Sequence, residues 1–282
     1  MKSERHERIL EELSRKSKVH VSRLAADLGV SEPTIRNDLE ILAQSGLLTR
    51  VHGGAVPVSH ASLDNKTGFL VRSREQLEEK LAIARWALRL VKDHDSILLD
   101  ASSTCYELAK LLAHTNLNLT VTTNGLRTAS VLSANPKLRI YVVGGALRNN
   151  NAITGLLGSG LLHKIHLHKA FVSVRGIDVS HGLTDFSFEE GELKAFMLAK
   201  VREIYALVDH TKLGNVSVVS FCDLSRVTSV ITDGFASADQ IKMLRSSGAQ
   251  VVQVPRDNSP LVEQQLIGRY QRDSTVDALE PE

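Results

Sequence analysis

Through the first 56 residues apolar positions recur at helical spacing. Ile9, Leu10 and Leu13 form one stripe and predict a helix over about residues 3–15. Val21, Leu24, Ala25 and Leu28 predict a second, short helix. Gly29 ends it, because glycine accepts the left-handed conformation of a C-cap. Ser31 is a good N-cap and Pro33 suits a first helical turn, so a third helix starts there and runs to about Ala43, with Ile35, Leu39 and Leu42 inward. Helix, glycine turn and capped helix make a helix-turn-helix. After Gly46, residues Leu47–His52 and then Gly53-Gly54-Ala55-Val56 read as strand, turn, strand, which is a small wing.

Pro57 to Leu70 is rich in Ser, Asn, Gly and Pro, lacks periodicity and reads as a linker. A long amphipathic helix is predicted over about Arg74–Val91 with Leu77, Leu81, Ala84 and Leu88. Short apolar runs then alternate with helical stretches. Strands are expected at Ser96–Leu99, Leu119–Thr123, Arg139–Val143, Lys169–Val174, Glu203–Val208, Ser229–Thr232 and Gln250–Val254. Helices are expected near residues 104–113, 125–133, 154–165, 188–200 and 237–246. Strands that are apolar throughout, separated by helices, predict a mostly parallel sheet covered on both faces. The fold class is therefore α/β, divided into a winged helix-turn-helix at 1–57, a linker at 58–72, an α/β domain at 73–255 and a polar tail at 256–282. In such sheets ligands bind beyond the carboxyl ends of the strands.

Composition narrows the setting. No stretch approaches the roughly 20 apolar residues of a membrane span. The charged start MKSERHERIL lacks the apolar core of a secretory signal. Cys105 and Cys222 are far apart, as free thiols of a reducing compartment would be, so a cytoplasmic protein without a membrane partner is expected. Residues 1–56 carry nine Lys and Arg against eight Asp and Glu, so the broad basic footprint of a DNA-binding domain is absent.

The third helix nevertheless has the polar face of a recognition helix. Pro33 and Asn37 point away from its apolar stripe, with Arg36 and Glu40 on one flank and Thr34 on the other, and Glu32 at the start of the helix is counted among the DNA contacts. Asn37 suits adenine, and Arg36 guanine or a phosphate. Ser31 and Thr34 suit a phosphate, and Arg50 and His52 on the wing suit the DNA backbone. The plain alternative is a small helical domain with a solvated third helix.

In the second domain Asp100-Ala-Ser-Ser-Thr104 lies where a strand gives way to a helix, and its N–H groups and hydroxyls suit a phosphate. Thr122-Thr123-Asn124-Gly125 and Gly144-Gly145-Ala-Leu-Arg148 end the next two strands, so polar groups and an arginine converge on one sheet edge. The later stretch with Asp178, Asp185, Glu189 and Glu190 supplies acidic groups for sugar hydroxyls, and Lys212 supplies a second cation. His163, His166 and His168 straddle a helix-to-strand boundary that would aim their rings apart, so no metal site is assigned and no cofactor is expected.

The run SEPTIRNDLEILAQSGLLTRVHGGAV, with RHERILEEL upstream, resembles the N-terminal signature of the DeoR family of bacterial repressors. Asn37 departs from it, because a second basic residue is common there. Residues of about 70–255 resemble the family's C-terminal domain, itself similar to sugar-phosphate isomerases of the ribose-5-phosphate isomerase and glucosamine-6-phosphate deaminase type. The resemblance implies phosphate binding at Ser102, Ser103 and Thr104, with Asp100, Thr123, Asn124, Arg148, Asp178, Glu189 and Lys212 around a sugar. The family usually has glycine at the positions of Ser102 and His94. The expectation is a non-enzymatic repressor of carbohydrate transport or metabolism genes. Its partners would be a double-stranded DNA operator and a phosphorylated sugar or polyol, and it would act as a homodimer or homotetramer. An isomerase or deaminase carrying a DNA-binding domain, and an activator of the same architecture, are the alternatives.

Overall fold

The computed structural model describes residues 2–16, 18–44, 48–51, 53–56, 68–148 and 151–255. The chain divides into two compact units, residues 1–75 and 76–282.

The first unit contains α1 (Lys2–Arg15), α2 (Val21–Leu28) and α3 (Glu32–Gln44). Ile9, Leu13, Val21, Leu24, Ile35, Leu39 and Leu42 are all buried in one core, as the 3.6-residue period requires. Gly29 ends α2 at φ +65°, and the Thr34 N–H donates to the Ser31 hydroxyl at the start of α3. The wing strands β2 (Thr49–Val51) and β3 (Gly54–Val56) are joined by β1 (Val19–His20) in an antiparallel sheet ordered β1-β3-β2. At two residues β1 is too short for its period to show in the sequence. His52, linker residues 58–67 and the tail at 256–282 lie outside the described residues. The end of the expected linker is helical, forming α4 (Gly68–Arg74). Gln76 then takes the left-handed conformation at φ +49°, so the helix expected from Arg74 starts instead at Leu77 as α5 (Leu77–Leu88).

The second unit is built on seven parallel strands: β4 (Ser96–Leu99), β5 (Leu119–Thr123), β6 (Leu138–Val142), β9 (Lys169–Val172), β12 (Glu203–Leu207), β14 (Ser229–Thr232) and β15 (Val251–Gln253). Their order is β15-β14-β12-β9-β4-β5-β6. Residues within each strand alternate between two cores. Ile97, Leu99, Val121, Phe171 and Leu207 pack with α5, α6 (Ser103–Leu112) and α7 (Leu126–Leu132). Leu98, Ala170, Val172, Ile204 and Ala206 pack with α8 (Phe188–Leu198) and α9 (Ala238–Ser246). Both faces are covered, which is why these strands are apolar throughout. The chain leaves β4 toward β5 and β6, then returns to its other side at β9. The topological switch therefore lies between β4 and β9, the place where such sheets bind ligands.

Two antiparallel elements were not anticipated. One is the hairpin β7 (Ala146–Arg148) and β8 (Ala152–Thr154); the other is a sheet of β10 (Gly176–Asp178), β11 (Gly182–Asp185) and β13 (Val219–Cys222). The helix expected at 154–165 is absent: β8 ends at Thr154 and only a single 3-10 turn, Ser159–Leu161, follows. Gly158 explains the difference. A Cβ there would lie 2.1 Å from the Gly144 carbonyl oxygen, so the segment is shaped by a close backbone approach to the loop after β6.

Candidate functional site

On α3 the side opposite Ile35 and Leu39 is exposed at Pro33, Arg36 and Asn37 and half-exposed at Glu32, Thr34 and Glu40. Ser31 is exposed, and its hydroxyl lies 2.9 Å from that of Thr34. The arginines of this face are not solitary. Arg36 Nη2 donates to Glu32 Oε2 at 2.8 Å, one turn earlier, and Arg50 on β2 donates through Nη1 to Glu40 Oε2 at 2.5 Å. All four side chains are 40–59% exposed, so each pair is worth about 0–1 kcal/mol.

The inward side of α3 carries a residue the sequence reading passed over. Asp38 is 1% exposed and accepts from Arg5 Nε (2.5 Å) and Nη2 (3.2 Å) and pairs with His6 Nε2 (2.9 Å). Burial alone would raise this carboxyl, but hydrogen bonds and charge from Arg5 and His6 outweigh it and hold the carboxyl below its ordinary value. The two-pronged contact fixes α1 against α3 and so sets the face that reads outward. Its sequence signal was a carboxylate on an apolar stripe, between Ile35 and Leu39.

In the second unit, Asp100 follows β4 and Ser173 follows β9, on either side of the switch point. Asp100 is fully buried; its Oδ1 accepts from Ser102 N (3.1 Å) and its Oδ2 from Ser173 N (3.0 Å). Lys194 reaches in from α8 with Nζ 2.9 Å from Asp100 Oδ2, 2.7 Å from Asp185 Oδ2 at the end of β11, and 2.9 Å from the Ser173 carbonyl. Burial would lower the Lys194 ammonium, yet the charges of Asp100 and Asp185 raise it far above its ordinary value. Burial would likewise raise Asp100, but the Lys194 charge and the Ser102 and Lys194 hydrogen bonds hold it low. This cluster is a locked ionic floor at the switch point. Asp185, expected to face sugar hydroxyls, is instead paired with Lys194. Lys194 and Ser173 were not among the expected site residues, although a lysine spaced with Gly191 and Leu198 on the buried side of α8 was a readable sign of internal pairing.

Ser102, Ser103, Thr104, Thr123 and Asn124 gather around that floor. Ser102 caps α6, its hydroxyl accepting from Cys105 N at 3.2 Å, which leaves its own proton free to donate. Ser103 and Thr104 are buried, and Thr104 Oγ1 lies 3.5 Å from Ser173 Oγ. Thr123 sits opposite Leu99 in register and accepts from Gly125 N. Asn124 is 2% exposed; its Nδ2 donates to the Ile153 carbonyl at 3.0 Å, which fixes the amide and leaves Oδ1 buried with no donor.

Arg148 and Glu189 are also brought together, at 3.6 Å, on either side of Ser187. Arg148 Nη1 donates to the Ser187 hydroxyl at 2.9 Å, and that hydroxyl donates to Glu189 Oε2 at 2.7 Å. The Ser187 hydrogen bond, with the Arg148 charge, holds the Glu189 carboxyl low. This group belongs to the same edge, because β8 is bonded to Asn124 by Ile153 N→Asn124 O at 2.8 Å. Asp178 and Lys212 are held by other contacts. Asp178 accepts from Ser180 N, His181 N and the His181 ring within its own hairpin turn, and Lys212 lies in a 3-10 turn whose next residue, Leu213, bridges to Ile177. Cys105 is buried, with burial and the nearby Asp100 charge pushing its thiol well up, and burial raises Cys222 to about 11, so neither is a nucleophile. Among the described residues no three metal-ligating side chains stand together, and no helix is long and apolar enough to cross a membrane.

The chain is similar to known proteins over both units. Residues 5–61 match the DeoR-like helix-turn-helix domain and residues 75–234 the DeoR C terminal sensor domain. The HTH-type transcriptional regulator GolR of Listeria innocua is 39% identical over 249 residues, covering 88% of this chain and 97% of that protein. The lactose phosphotransferase system repressor of Staphylococcus epidermidis is 32% identical over 235 residues, covering 82% of this chain and 92% of that protein. Among solved structures, the ribose 5-phosphate isomerase A of Methanocaldococcus jannaschii is 16% identical and the match covers 51% of this chain and 56% of that one, at a TM-score of 0.38. Family matches over both units and relatives that align along nearly their whole length place the chain in the DeoR family of helix-turn-helix transcriptional regulators.

Proposed function

We propose that this chain is a cytoplasmic repressor of carbohydrate transport or metabolism genes, released from or directed to its operator by a phosphorylated sugar or polyol. DNA contact is assigned to Ser31, Glu32, Pro33, Thr34, Arg36, Asn37, Glu40, Arg50 and His52. The charge-latched α3 supports this, with its polar side exposed. Because helix-turn-helix proteins read repeated or palindromic half-sites, a symmetric dimer or tetramer is the working form.

One observation carries the ligand assignment: unmatched donors and an unmatched acceptor share the carboxyl edge of the sheet. The first-turn N–H groups of Ser103 and Thr104 have no intrahelical acceptor and sit at the positive end of α6, beside the Ser102 proton. Next to them the buried Asn124 Oδ1 lacks a donor. An anionic group with a neighbouring hydroxyl answers both needs, and Arg148 and Lys212 supply further positive charge. Asp100, Thr123, Asp178 and Glu189 complete the proposed effector set. Turnover of the ligand is not expected. Proton transfer needs groups that titrate near neutrality, and at the switch point Asp100 is held below its ordinary value and Lys194 above its own, both away from that range.

Thermal unfolding against phosphorylated sugars, each beside its unphosphorylated parent, tests the ligand. A compound at 100 times its dissociation constant stabilises by about 2.7 kcal/mol. Asn124→Ala abolishes that shift if the assignment holds, and an unchanged shift removes Asn124 from the site. Arg36→Ala or Asn37→Ala costs about 1–3 kcal/mol of site-specific DNA affinity. Reporter expression in a deletion strain separates a repressor, whose targets rise, from an activator, whose targets fall silent.

A further inference from the structure

Glu32 and Glu40 are an odd choice for a surface that meets a polyanion, yet both stand beside Arg36 and Asn37 on the outward side of α3. Each holds one arginine. Glu32 draws the Arg36 guanidinium back by one turn, toward the amino end of α3, through a 2.8 Å bond to Nη2. Glu40 ties Arg50 of the wing to the helix through a 2.5 Å bond to Nη1. Each guanidinium therefore keeps the donors on its other nitrogens. Neither pair contributes much to stability at 40–59% exposure. They matter instead in the competition for the arginines.

We infer that Glu32 and Glu40 determine sequence discrimination, by holding Arg36 and Arg50 off phosphates and aiming their remaining donors at base edges. The inference rests on the DNA-binding reading above. On an arbitrary duplex the available contact for an arginine is a phosphate. Taking it strips the arginine from its carboxylate and leaves that carboxylate beside the negative backbone. On a matching site the arginine keeps its carboxylate and offers its other nitrogens to guanine O6 or N7, while the glutamate oxygen can also accept from cytosine N4. The carboxylates thus penalise random DNA more than the proper site, which is how a repulsive element creates specificity. The even charge of residues 1–56, nine basic against eight acidic, then belongs to the same design: little of the affinity is left to non-specific attraction.

The test uses the full chain with Glu32→Gln, Glu40→Gln and the double variant. Fluorescence anisotropy is read on two DNAs: a duplex selected from a randomised pool by the unaltered chain, and poly(dI-dC). One freed arginine adds one phosphate contact, so affinity for poly(dI-dC) rises by up to about 8-fold per variant near 0.1 M salt and the slope of log K against log salt steepens by about 0.9. Affinity for the selected duplex moves far less, and the ratio between the two DNAs falls. Asp27→Asn removes an equal charge from α2, where Asp27 is 51% exposed and 4.0 Å from Arg23, and it tightens both DNAs in parallel. Unchanged melting of the glutamate variants confirms that the fold is intact. A preserved ratio in Glu32→Gln and Glu40→Gln overturns the inference and leaves DNA binding standing. Failure of the unaltered chain to select any duplex overturns the DNA-binding reading and the inference with it.

Discussion

Around Lys194 one ammonium meets two carboxylates, and none of the three side chains is more than 8% exposed. Around Arg36 and Arg50 two guanidiniums meet two carboxylates, and none of the four is less than 40% exposed. The groups are alike and their surroundings opposite. In the sensor unit the charges have given up water and depend on one another, so they act as scaffold. On α3 they remain hydrated, cost little to separate, and stay free to exchange partners with DNA. Burial, rather than residue type, decides which cluster is structure and which is reading surface. The Arg5–His6–Asp38 latch falls between the two, with a buried carboxylate and partners that are about one-fifth exposed.

The most direct way to break this contrast is Lys194→Ala, which leaves Asp100 and Asp185 buried without a cation. Removing one partner of a buried pair costs about 3–5 kcal/mol, so the second unit should melt far earlier, whereas Glu32→Gln should leave melting unchanged. Asp38→Ala, which takes a buried acceptor from Arg5 and His6, should cost about 1–3 kcal/mol, read as a lower midpoint in urea for the first unit. Acid gives the same ranking without mutation. Asp38 and Asp100 are both held below their ordinary 3.8, so their contribution is complete above that value and disappears as pH falls below it. Unfolding monitored from pH 6 downward should therefore show stability lost below about pH 3.8, and less steeply in Asp100→Asn. The smallest effect is expected at His94, an exposed non-glycine residue at φ +62°. A left-handed backbone costs an L-residue roughly 1–2 kcal/mol, and glycine returns part of it as chain entropy. His94→Gly should raise the melting temperature slightly, and a fall would show that its 3.3 Å contact with Asp93 outweighs the strain.

The two regions were also unequally legible. Periodicity and turn chemistry located α1 to α3, the Gly29 cap and the wing, because these are local features with long repeats or obligatory residues. The seven parallel strands were readable from apolar runs for the same reason. The β7–β8 hairpin and the β10-β11-β13 sheet were not, since their short segments mix polar and glycine residues with apolar ones and form no apolar run. The expected helix at 154–165 failed because a tertiary contact, Gly158 against Gly144, overrode its apolar spacing. In the site, Asp100 and the serines of α6 stood out as a strand-to-helix junction. Lys194 did not, because its partners come from three distant segments and only folding brings them together. Arg36 and Arg50 were visible as bases; Glu32 stands at i, i+4 from Arg36 within α3, whereas Glu40 meets Arg50 only with the wing laid beside that helix.

Control of the reading face by the sensor is most directly measured with a labelled duplex selected by the chain itself. Its affinity would be followed while adding the phosphorylated compound that stabilises the fold, and again with the unphosphorylated parent. The account predicts a 5- to 150-fold change with the phosphorylated compound, the range corresponding to about 1–3 kcal/mol of coupling, and none with the parent. Tight binding of the compound with DNA affinity unmoved would contradict it.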